Sequence, residues 1–430
     1  MPQPTVVQSD LDLPQRCDVV VIGAGIAGVT TALELAERGL HVVICEKGIV
    51  AGEQSSRNWG WCRQMGRDPR ELPLIQVSLN LWRQMRQRIG EEVGFRECGI
   101  LYLCESEKEL AARSDWMQKN GDLYGLSSSL IDGEEAGRRA NITNVNWRGG
   151  LYTPDDGRAE PQLAVPAMAR AAQRLGVQIF QQCAVRGIDR TAGKISGVIT
   201  ERGEIACDKV VLAGGMWSRK FCTNIGLRLP QLTVVNSVMR TNELDVDVPH
   251  SMGGKKFAVR KRLDGGFTIA HKTYSVADIV PDSFKLLPDF FDLMKTDIQD
   301  LKLRFGRRFI EEFKTPKHWG VDEMSPFEAC RTYDPKPNNA LLDEAFASLC
   351  QAIPAFKQAT IAERWAGGID VVPDAVPVIS AVESEPNFYM ATGFSGHGFG
   401  LGPAAGKLMA EIVCDETPCV DASPFRFERF

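Results

Sequence analysis

The 430-residue sequence lacks the run of about 20 apolar residues that a membrane-spanning helix requires. Residues 1–17 contain neither a basic start nor an apolar segment, so we expect no secretory signal. A net charge of −5 gives no electrostatic reason to expect a nucleic acid partner. Together with an ordinary hydrophobic content of 44%, these absences favour a cytoplasmic globular protein.

Paired cysteines and histidine clusters are also absent from the sequence. The 12 cysteines include no Cys-x-x-Cys pair, and we interpret them as reduced, mostly buried thiols. The five histidines are scattered, and sequence alone makes none of them a general base. We therefore predict no metal site.

The beginning of the chain has the pattern of a β-α-β unit. Asp18–Ile22 and His41–Cys45 are apolar runs typical of strands buried on both faces, and residues 30–38 have the period of a helix. Buried strands of the same type return at Lys209–Ala213 and Asn387–Ala391. The pattern predicts a parallel sheet that is assembled from separated segments of the chain.

The predicted fold class is α/β, with a Rossmann-like dinucleotide-binding domain and a second α+β domain. We expect a mixed or antiparallel sheet in the second domain, because residues 231–280 are rich in strand patterns. The predicted first domain comprises residues 15–85, 150–228 and 355–420. The predicted second domain comprises residues 86–149 and 229–354, with a helical insertion at about 281–320.

The first strand is followed by the glycine motif Gly23-x-Gly25-x-x-Gly28. Between a strand and a helix, these glycines allow a tight turn, close approach of a pyrophosphate, and close packing of helix on strand. Glu46 ends the second strand, about 20 residues further on, where an acid holds the ribose hydroxyls. The motif predicts an ADP site formed by Gly23, Gly25, Ile26, Ala27, Gly28, Glu46 and Lys47, and it does not separate FAD from NAD.

A second glycine cluster, TGFSGHGFGLGP, covers Thr392–Pro403 and follows a buried strand. Glycines at the start of a helix let backbone amides and the positive end of the helix dipole approach a flat ligand. A flavin gains negative charge on reduction, so this cluster favours FAD. We predict contacts from Gly396, His397, Gly398, Phe399 and Gly400, with His397 either touching the ring or capping the turn.

Four segments in this order resemble the D-amino-acid-oxidase superfamily of FAD enzymes: DVVVIGAGIAGVTTALELAERGLHVVICEKG, DKVVLAGGMWS, RWAGGIDVVPDAVPVIS and TGFSGHGFGLGP. The segments AGEQSSR, SPFEACRTYDP and ASPFRFERF look most like bacterial L-amino acid deaminases. The resemblance implies a FAD-binding domain of the glutathione-reductase type and a substrate domain. Some sarcosine-type relatives attach flavin through a cysteine near RWAG, but no cysteine lies between Cys350 and Cys414, so we expect non-covalent FAD.

The resemblance implies oxidation of an amino acid or carboxylated amine by hydride transfer from Cα to flavin N5. The imine hydrolyses to a 2-oxo acid or aldehyde, with release of ammonia or an amine. One alternative is an oxidase or dehydrogenase for secondary amines, such as sarcosine, pipecolate or opines. A nicotinamide-only dehydrogenase and a non-catalytic flavoprotein are others. O₂ or a quinone would accept the electrons.

The resemblance also implies which residues face the substrate. Arg260 lies where the deaminases have the arginine that faces the substrate carboxylate, and a bidentate arginine suits that role; the alternative is a solvated surface arginine. Trp365 and Trp61 are the other predicted catalytic residues, and core packing is the alternative for Trp365. Along the FAD we expect Ser55, Ser56, Arg57, Asn58, Trp59, Gly60, Val185, Ala213, Gly214, Trp217 and Gly367.

Two segments differ from the deaminases or leave alternatives open. The deaminases carry an N-terminal membrane helix, which we do not expect in this chain, and their loop after AGEQSSR differs from Asn58–Gln64. The sequence therefore does not identify the substrate. Trp59 and Trp61 alternate along the chain, and we expect only one of them to face the ring or substrate. The amphipathic stretch 281–319 either caps the substrate domain or contacts a subunit, or it lies peripherally on the inner face of the membrane.

Overall fold

The structure of the protein is a computed structural model that describes residues 2–142, 144–297 and 301–430. The helices are α1 Ile26–Glu37, α2 Gln54–Arg57, α3 Leu72–Ile89, α4 Glu107–Asn120, α5 Gly133–Ala140, α6 Pro161–Arg174, α7 Ser218–Asn224, α8 Pro281–Lys285, α9 Phe291–Asp297, α10 Arg307–Lys314, α11 Pro326–Ala329, α12 Asn339–Ala352 and α13 Gly398–Val413. The strands are β1 Arg16–Ile22, β2 Val42–Cys45, β3 Trp61–Cys62, β4 Arg96–Glu97, β5 Ile100–Cys104, β6 Ser129–Asp132, β7 Gly149–Thr153, β8 Gly157–Arg158, β9 Gln178–Phe180, β10 Val185–Thr191, β11 Lys194–Thr200, β12 Gly203–Leu212, β13 Leu232–Thr241, β14 Ser251–Gly253, β15 Phe257–Lys261, β16 Phe267–His271, β17 Ser275–Asp278, β18 Leu301–Arg304, β19 Ile361–Val371, β20 Val378–Ala381 and β21 Phe388–Thr392.

The first sheet is built around β1. Its strand order is β10-β11-β12-β1-β2-β9, with β21 beside β12 and β20 beside β21. The pairs of β1 with β2 and β12, of β2 with β9 and of β12 with β21 are parallel. Val19, Val20 and Val21 are fully buried, as expected for an apolar run covered on both faces.

Helices α1 and α13 pack closely on this sheet because the contact surface of α13 contains glycine. A Cβ atom on Gly402 would lie 2.5 Å from Ile26, and one on Gly406 would lie 2.4 Å from the Thr30 hydroxyl oxygen. The Thr30 hydroxyl donates to the Gly402 carbonyl at 2.9 Å. Residues at the starts of α1 and α13 line the same cavity.

The second sheet is mixed, with the order β18-β17-β13-β16-β15-β14-β5-β7-β6 and with β19 paired to β13. One face packs on α12 through an apolar cluster that includes Phe267 and Phe356, whose rings lie 4.9 Å apart. The predicted fold class, an α/β domain with a second α+β domain, is confirmed. β7 and β19 belong to this second sheet although they fall almost wholly within segments predicted for the first domain, and the exact domain boundaries stay a prediction.

Two elements begin or fold differently from the sequence expectation. The sequence pattern alone favours a last helix around 404–413, but α13 begins at Gly398, because close packing on α1 outweighs the low helix propensity of glycine. The insertion at 281–320 is only partly helical, since β18 follows α9 and pairs with β17. In the part of the chain that the structure describes, no helix combines the length and apolarity needed to cross a bilayer.

Candidate active site

A cavity of about 850 Å³ is lined by residues of both sheets and of the insertion. It is lined by the glycine loop before α1, by the loop around α2, by the start of α13 and by strands β13 and β19. Its volume lies within the range of small-molecule and cofactor sites. Each predicted cofactor-binding or substrate-binding residue can therefore be assigned to the wall of this one cavity or to the packing behind it.

The glycine loop is shaped by contacts that exclude larger side chains. Gly23 has φ +106°, and a Cβ atom there would lie 2.6 Å from the Ala213 carbonyl oxygen. A Cβ atom on Gly28 would lie 2.0 Å from the Gly23 carbonyl oxygen. The Ile26 amide at the start of α1 donates to the Ser55 hydroxyl at 2.9 Å. The loop thus holds a helix N-terminus at the cavity wall, an arrangement that binds phosphate groups.

The carboxylate of Glu46 is fixed at the end of β2 by two backbone amides. Its Oε2 accepts from Ala24 N at 2.8 Å, and its Oε1 accepts from Gly48 N at 2.7 Å. Burial raises the pKa of Glu46. Each oxygen keeps a further lone pair, so the group can accept hydrogen bonds from a ligand hydroxyl in the cavity.

The loop around α2 contributes most of its predicted residues to the cavity wall. Ser55 and Arg57 line the cavity, and the Arg57 Nη1 donates to Asp334 at 2.8 Å and to the Ala366 carbonyl at 3.0 Å. Ser56 is buried, does not line the cavity and donates to the Glu53 carbonyl at 3.3 Å. Lys47 reaches the cavity while its ammonium pairs with Glu53 at 2.8 Å.

Trp59 and Trp61 both line the cavity, and the expectation that only one of them faces the ring or substrate stays a prediction. Their rings meet edge to face, with centroids 5.4 Å apart. Alternation holds only for extended backbone, and Gly60 between them has φ +77°. A Cβ atom on Gly60 would lie 2.5 Å from the Ala159 carbonyl oxygen, so this bend requires glycine.

Arg260, which the resemblance predicts to face the substrate carboxylate, does not line the cavity. It is 1% exposed, and its Nη1 and Nη2 donate to the Glu160 carboxylate at 2.8 and 3.0 Å. Its Nε donates to the Trp59 carbonyl. The guanidinium is therefore engaged by the protein, and it holds the loop that carries Trp59.

Trp365 also lies behind the cavity instead of lining it. Its ring is 2% exposed and packs with Val238, Ala270 and Trp59. The indole Nε1 donates to the Arg57 carbonyl at 3.0 Å, because the buried N–H requires an acceptor. This position agrees with the alternative given for Trp365, in which its ring packs in the protein core.

The other predicted residues divide between the cavity wall and the packing behind it. Gly28 and Gly400 lie behind it, and a Cβ atom on Gly400 would lie 3.3 Å from the Trp61 carbonyl oxygen. The residues at the wall are Gly23, Gly25, Ile26, Ala27, Asn58, Gly60, Val185, Ala213, Gly214, Trp217, Gly367, Gly396, His397, Gly398 and Phe399.

His397 forms the N-cap position of α13, and its Nδ1 lies 2.9 Å from Glu71. An ionised carboxylate only accepts, so Nδ1 donates and Nε2 keeps an acceptor lone pair. Burial, and next the positive charge of Arg67, lower the pKa of His397. The neutral imidazole is thus the favoured form at the cavity wall.

Sequence reasoning missed two kinds of residue at the cavity wall. Arg67 and Asp370 are both buried, and Asp370 fixes the turn before α13 by accepting from Gly393 N at 2.7 Å. The insertion contributes Ser283, Phe284, Leu287, Phe290, Leu293, Met294, Leu301 and Leu303. The RQMGR run after Trp61 was the available signal for Arg67. Among the residues described, no cluster of His, Cys, Asp and Glu has the geometry of a metal site.

Comparison with known proteins gives one consistent picture. The family model DAO, described as FAD dependent oxidoreductase, matches residues 18–412. The chain is similar to L-amino acid deaminase from Proteus myxofaciens, solved in complex with anthranilate, with 36% identity, a TM-score of 0.95, and coverage of 99% of this chain and 96% of that chain. For L-amino acid deaminase from Proteus vulgaris, the identity is 31% and the TM-score 0.94, with coverage of 99% of this chain and 100% of that chain.

A curated relative adds a secondary-amine enzyme to this group. 4-Methylaminobutanoate oxidase (formaldehyde-forming) from Paenarthrobacter nicotinovorans is 26% identical over 97% of this chain, which spans only 46% of that relative's length. The match over 18–412 covers nearly all of the two large sheets and every residue that lines the cavity. The chain therefore belongs to the DAO family of FAD-dependent oxidoreductases, and it is similar to the L-amino acid deaminases within that family.

Proposed function

We propose that this protein binds FAD non-covalently and oxidises an amino acid or a related carboxylated amine. The product imine is hydrolysed by water to a 2-oxo acid or aldehyde, with release of ammonia or an amine. The observation that carries the proposal is the shared cavity, which joins the glycine loop and Glu46 to the start of α13 and the tryptophan pair Trp59 and Trp61.

The residues of the cavity fit an FAD molecule. The glycine loop and the N-terminus of α1 suit a pyrophosphate, Glu46 suits a ribose, and the start of α13 suits a ring that gains negative charge. Among the described residues that line the cavity, Cys45 is the only cysteine, and it lies next to Glu46 at the end suited to adenosine. This position supports non-covalent binding.

Bound FAD supplies the acceptor for a hydride from the substrate carbon. The protein must exclude water and favour the neutral amine. Trp59, Trp61 and residues of the insertion give the cavity an apolar wall, which disfavours water beside the reacting atoms. We assign Nε2 of His397 as the group that accepts the proton that an ammonium substrate must lose, because it combines a free lone pair with a place at the wall.

Anaerobic mixing of the purified yellow protein with candidate substrates tests the proposed function. We expect the flavin absorbance to bleach with a carboxylated amine from a panel of L- and D-amino acids, N-methyl amino acids and polyamines. Reoxidation by air or by a quinone then identifies the electron acceptor. Colourless protein would support a nicotinamide enzyme, and a flavin that no amine bleaches would refute the oxidoreductase function.

A secondary-amine substrate is the second candidate, supported by the similarity to 4-methylaminobutanoate oxidase. The same panel separates the two candidates. Release of ammonia indicates a primary amine, and release of an amine or formaldehyde indicates an N-substituted one.

Residues of the insertion form part of the cavity wall, which supports the interpretation that the insertion caps the substrate. It also exposes Phe305 and Phe313, which are 70% and 72% accessible to solvent. Exposed aromatic side chains also suit peripheral contact of the insertion with a membrane, which is the alternative to a cap. Reoxidation of the flavin by a quinone would favour that alternative.

Replacement of Glu46 by alanine is expected to weaken FAD binding by about tenfold to 100-fold, because hydrogen bonds to a charged group contribute about 1.5–3 kcal/mol. The ratio of flavin to protein absorbance after dialysis measures the loss. Glu37→Ala is the matched control, since Glu37 lies on the surface and pairs with Arg88. Full retention of FAD in Glu46→Ala would argue against the placement of the ribose.

A further inference from the structure

Three positive charges surround the ring of Tyr102 on β5. The Arg113 guanidinium lies 4.7 Å from the ring centre, the Lys272 ammonium lies 5.0 Å from it, and the Arg63 guanidinium lies 5.9 Å from it. Each distance is within the range of a cation–π contact. The three cations come from α4, from the turn after β16 and from the loop after β3, so distant parts of the chain bring them together.

Arg113 and Lys272 have no acidic partner in the described part of the chain. Neither side chain forms an ion pair or a hydrogen bond with a described residue. Glu109 lies one turn before Arg113 on α4, but it belongs to the capping box at the start of that helix. Its Oε2 accepts from the amides of Glu105 and Ser106 at 2.9 and 3.1 Å. The two cations are therefore held beside the ring without a carboxylate in contact.

The like charges of this cluster act on one another. Burial, and next the charge of Arg113, lower the pKa of Lys272 to about 8. Arg63 adds positive charge, and its Nη1 donates to the Met65 carbonyl, which is a neutral group. A bound anion would oppose the fall in the pKa of Lys272, because an opposite charge favours the protonated ammonium. The electrostatics of the cluster thus favour an anion between these side chains.

Two glycines leave space beside the cations. A Cβ atom on Gly66 would lie 3.7 Å from Arg63 Nη1 and 3.8 Å from Arg113 Nη1, so both guanidinium groups approach the same exposed point. A Cβ atom on Gly253 would lie 3.3 Å from the Cδ and Cε atoms of Lys272. Because Gly66 has no side chain, a small anion has room to reach the two guanidinium groups from solvent.

We propose that Arg113, Lys272 and Arg63 form a binding site for a small tetrahedral dianion such as phosphate or sulfate. Guanidinium groups present paired N–H donors that match the oxygens of such an anion, and the ammonium adds a compact charge. Arg113 and Lys272 do not line the cavity, so the site is separate from the one that the proposed function uses. The inference therefore stands without the proposed function.

Isothermal titration calorimetry of the protein as purified, with sodium sulfate as the ligand, tests the site at an ionic strength held constant with sodium chloride. We expect a single sulfate to bind in the presence of the chloride, and phosphate to displace it. Arg113→Gln and Lys272→Gln should each raise the Kd of sulfate by about tenfold, because each removes one charge-assisted contact. Arg113→Lys keeps the charge and should bind sulfate more tightly than Arg113→Gln.

Lys357→Gln is the matched control, because it removes one positive charge from an exposed side chain outside the cluster. Its Kd for sulfate should match that of the unaltered protein. The melting temperature of each variant in chloride separates loss of the site from loss of the fold. Absence of sulfate binding to the unaltered protein would overturn the inference. Equal binding by the unaltered protein, Arg113→Gln and Lys272→Gln would also overturn it, because the sulfate would then be an adventitious ion only.

Discussion

Arg260→Ala is expected to lower the free energy of unfolding by about 3–5 kcal/mol, because it leaves the buried Glu160 carboxylate without its main partner. The Glu160 side chain is 7% exposed, and after the change its nearest cations are Arg158 at 3.7 Å and Arg262 at 4.0 Å. The pair also anchors the Trp59 carbonyl, so the wall of the cavity should loosen as well. Denaturant unfolding at a fixed, saturating FAD concentration measures the change.

A double variant and a neighbouring residue separate this explanation from general damage to β15. Arg260→Met with Glu160→Met removes both charges and should recover much of the lost stability, since apolar replacements of buried pairs are often neutral. Lys261→Ala should change stability by less than about 1 kcal/mol, because Lys261 lies on the other face of the strand. Normal stability of Arg260→Ala with a raised KM for carboxylated substrates would instead restore the carboxylate role predicted from the sequence.

The glycine motif and Glu46 could be recognised from sequence because their determinants are local. A tight turn, a helix start and an acid at the end of the next strand occupy Gly23 to Glu46, and neighbouring residues fix their geometry. The continuous apolar runs of β1 and β2 lie in the same short stretch. The fold class followed from these local patterns and was confirmed.

The substrate end could not be predicted in the same way because its determinants are distant in sequence. Three adjacent cations at 260–262 give no sign that Glu160, one hundred residues earlier, binds the first of them. Trp365 likewise finds its acceptor at Arg57, over 300 residues away. Arg67 is buried, and one of its neighbours is Gly400 of α13, which lies more than 300 residues further along the chain.

Gly28→Ala is expected to reduce FAD affinity by more than about 100-fold, because the added Cβ atom would lie 2.0 Å from the Gly23 carbonyl oxygen. Backbone on one side and the packed helix on the other leave no flexible side chain to move aside. The glycine loop must then move away from the N-terminus of α1, and at least two hydrogen bonds to the pyrophosphate should be lost. Each lost bond weakens FAD binding by about 1.5–3 kcal/mol. Flavin content after gel filtration, and FAD titration of the apoprotein, measure the effect.

Gly306→Ala is the control for this substitution, because a Cβ atom on Gly306 meets nothing within 4 Å and its φ of −176° is open to any residue. The control should bind FAD normally, which separates a steric clash in the loop from the general effect of replacing glycine. Alanine at Gly28 also contacts the Cβ of Ala213 at 3.3 Å, so a shift of α1 away from β12 would be needed to relieve both contacts. Such a shift would also open the packing of α1 against α13, and it should lower the thermal stability of the apoprotein as well. Unchanged FAD affinity in Gly28→Ala, together with a lowered thermal stability of the apoprotein, would mean that the loop shifts without cost to FAD binding, and the pyrophosphate would have to be placed elsewhere in the cavity.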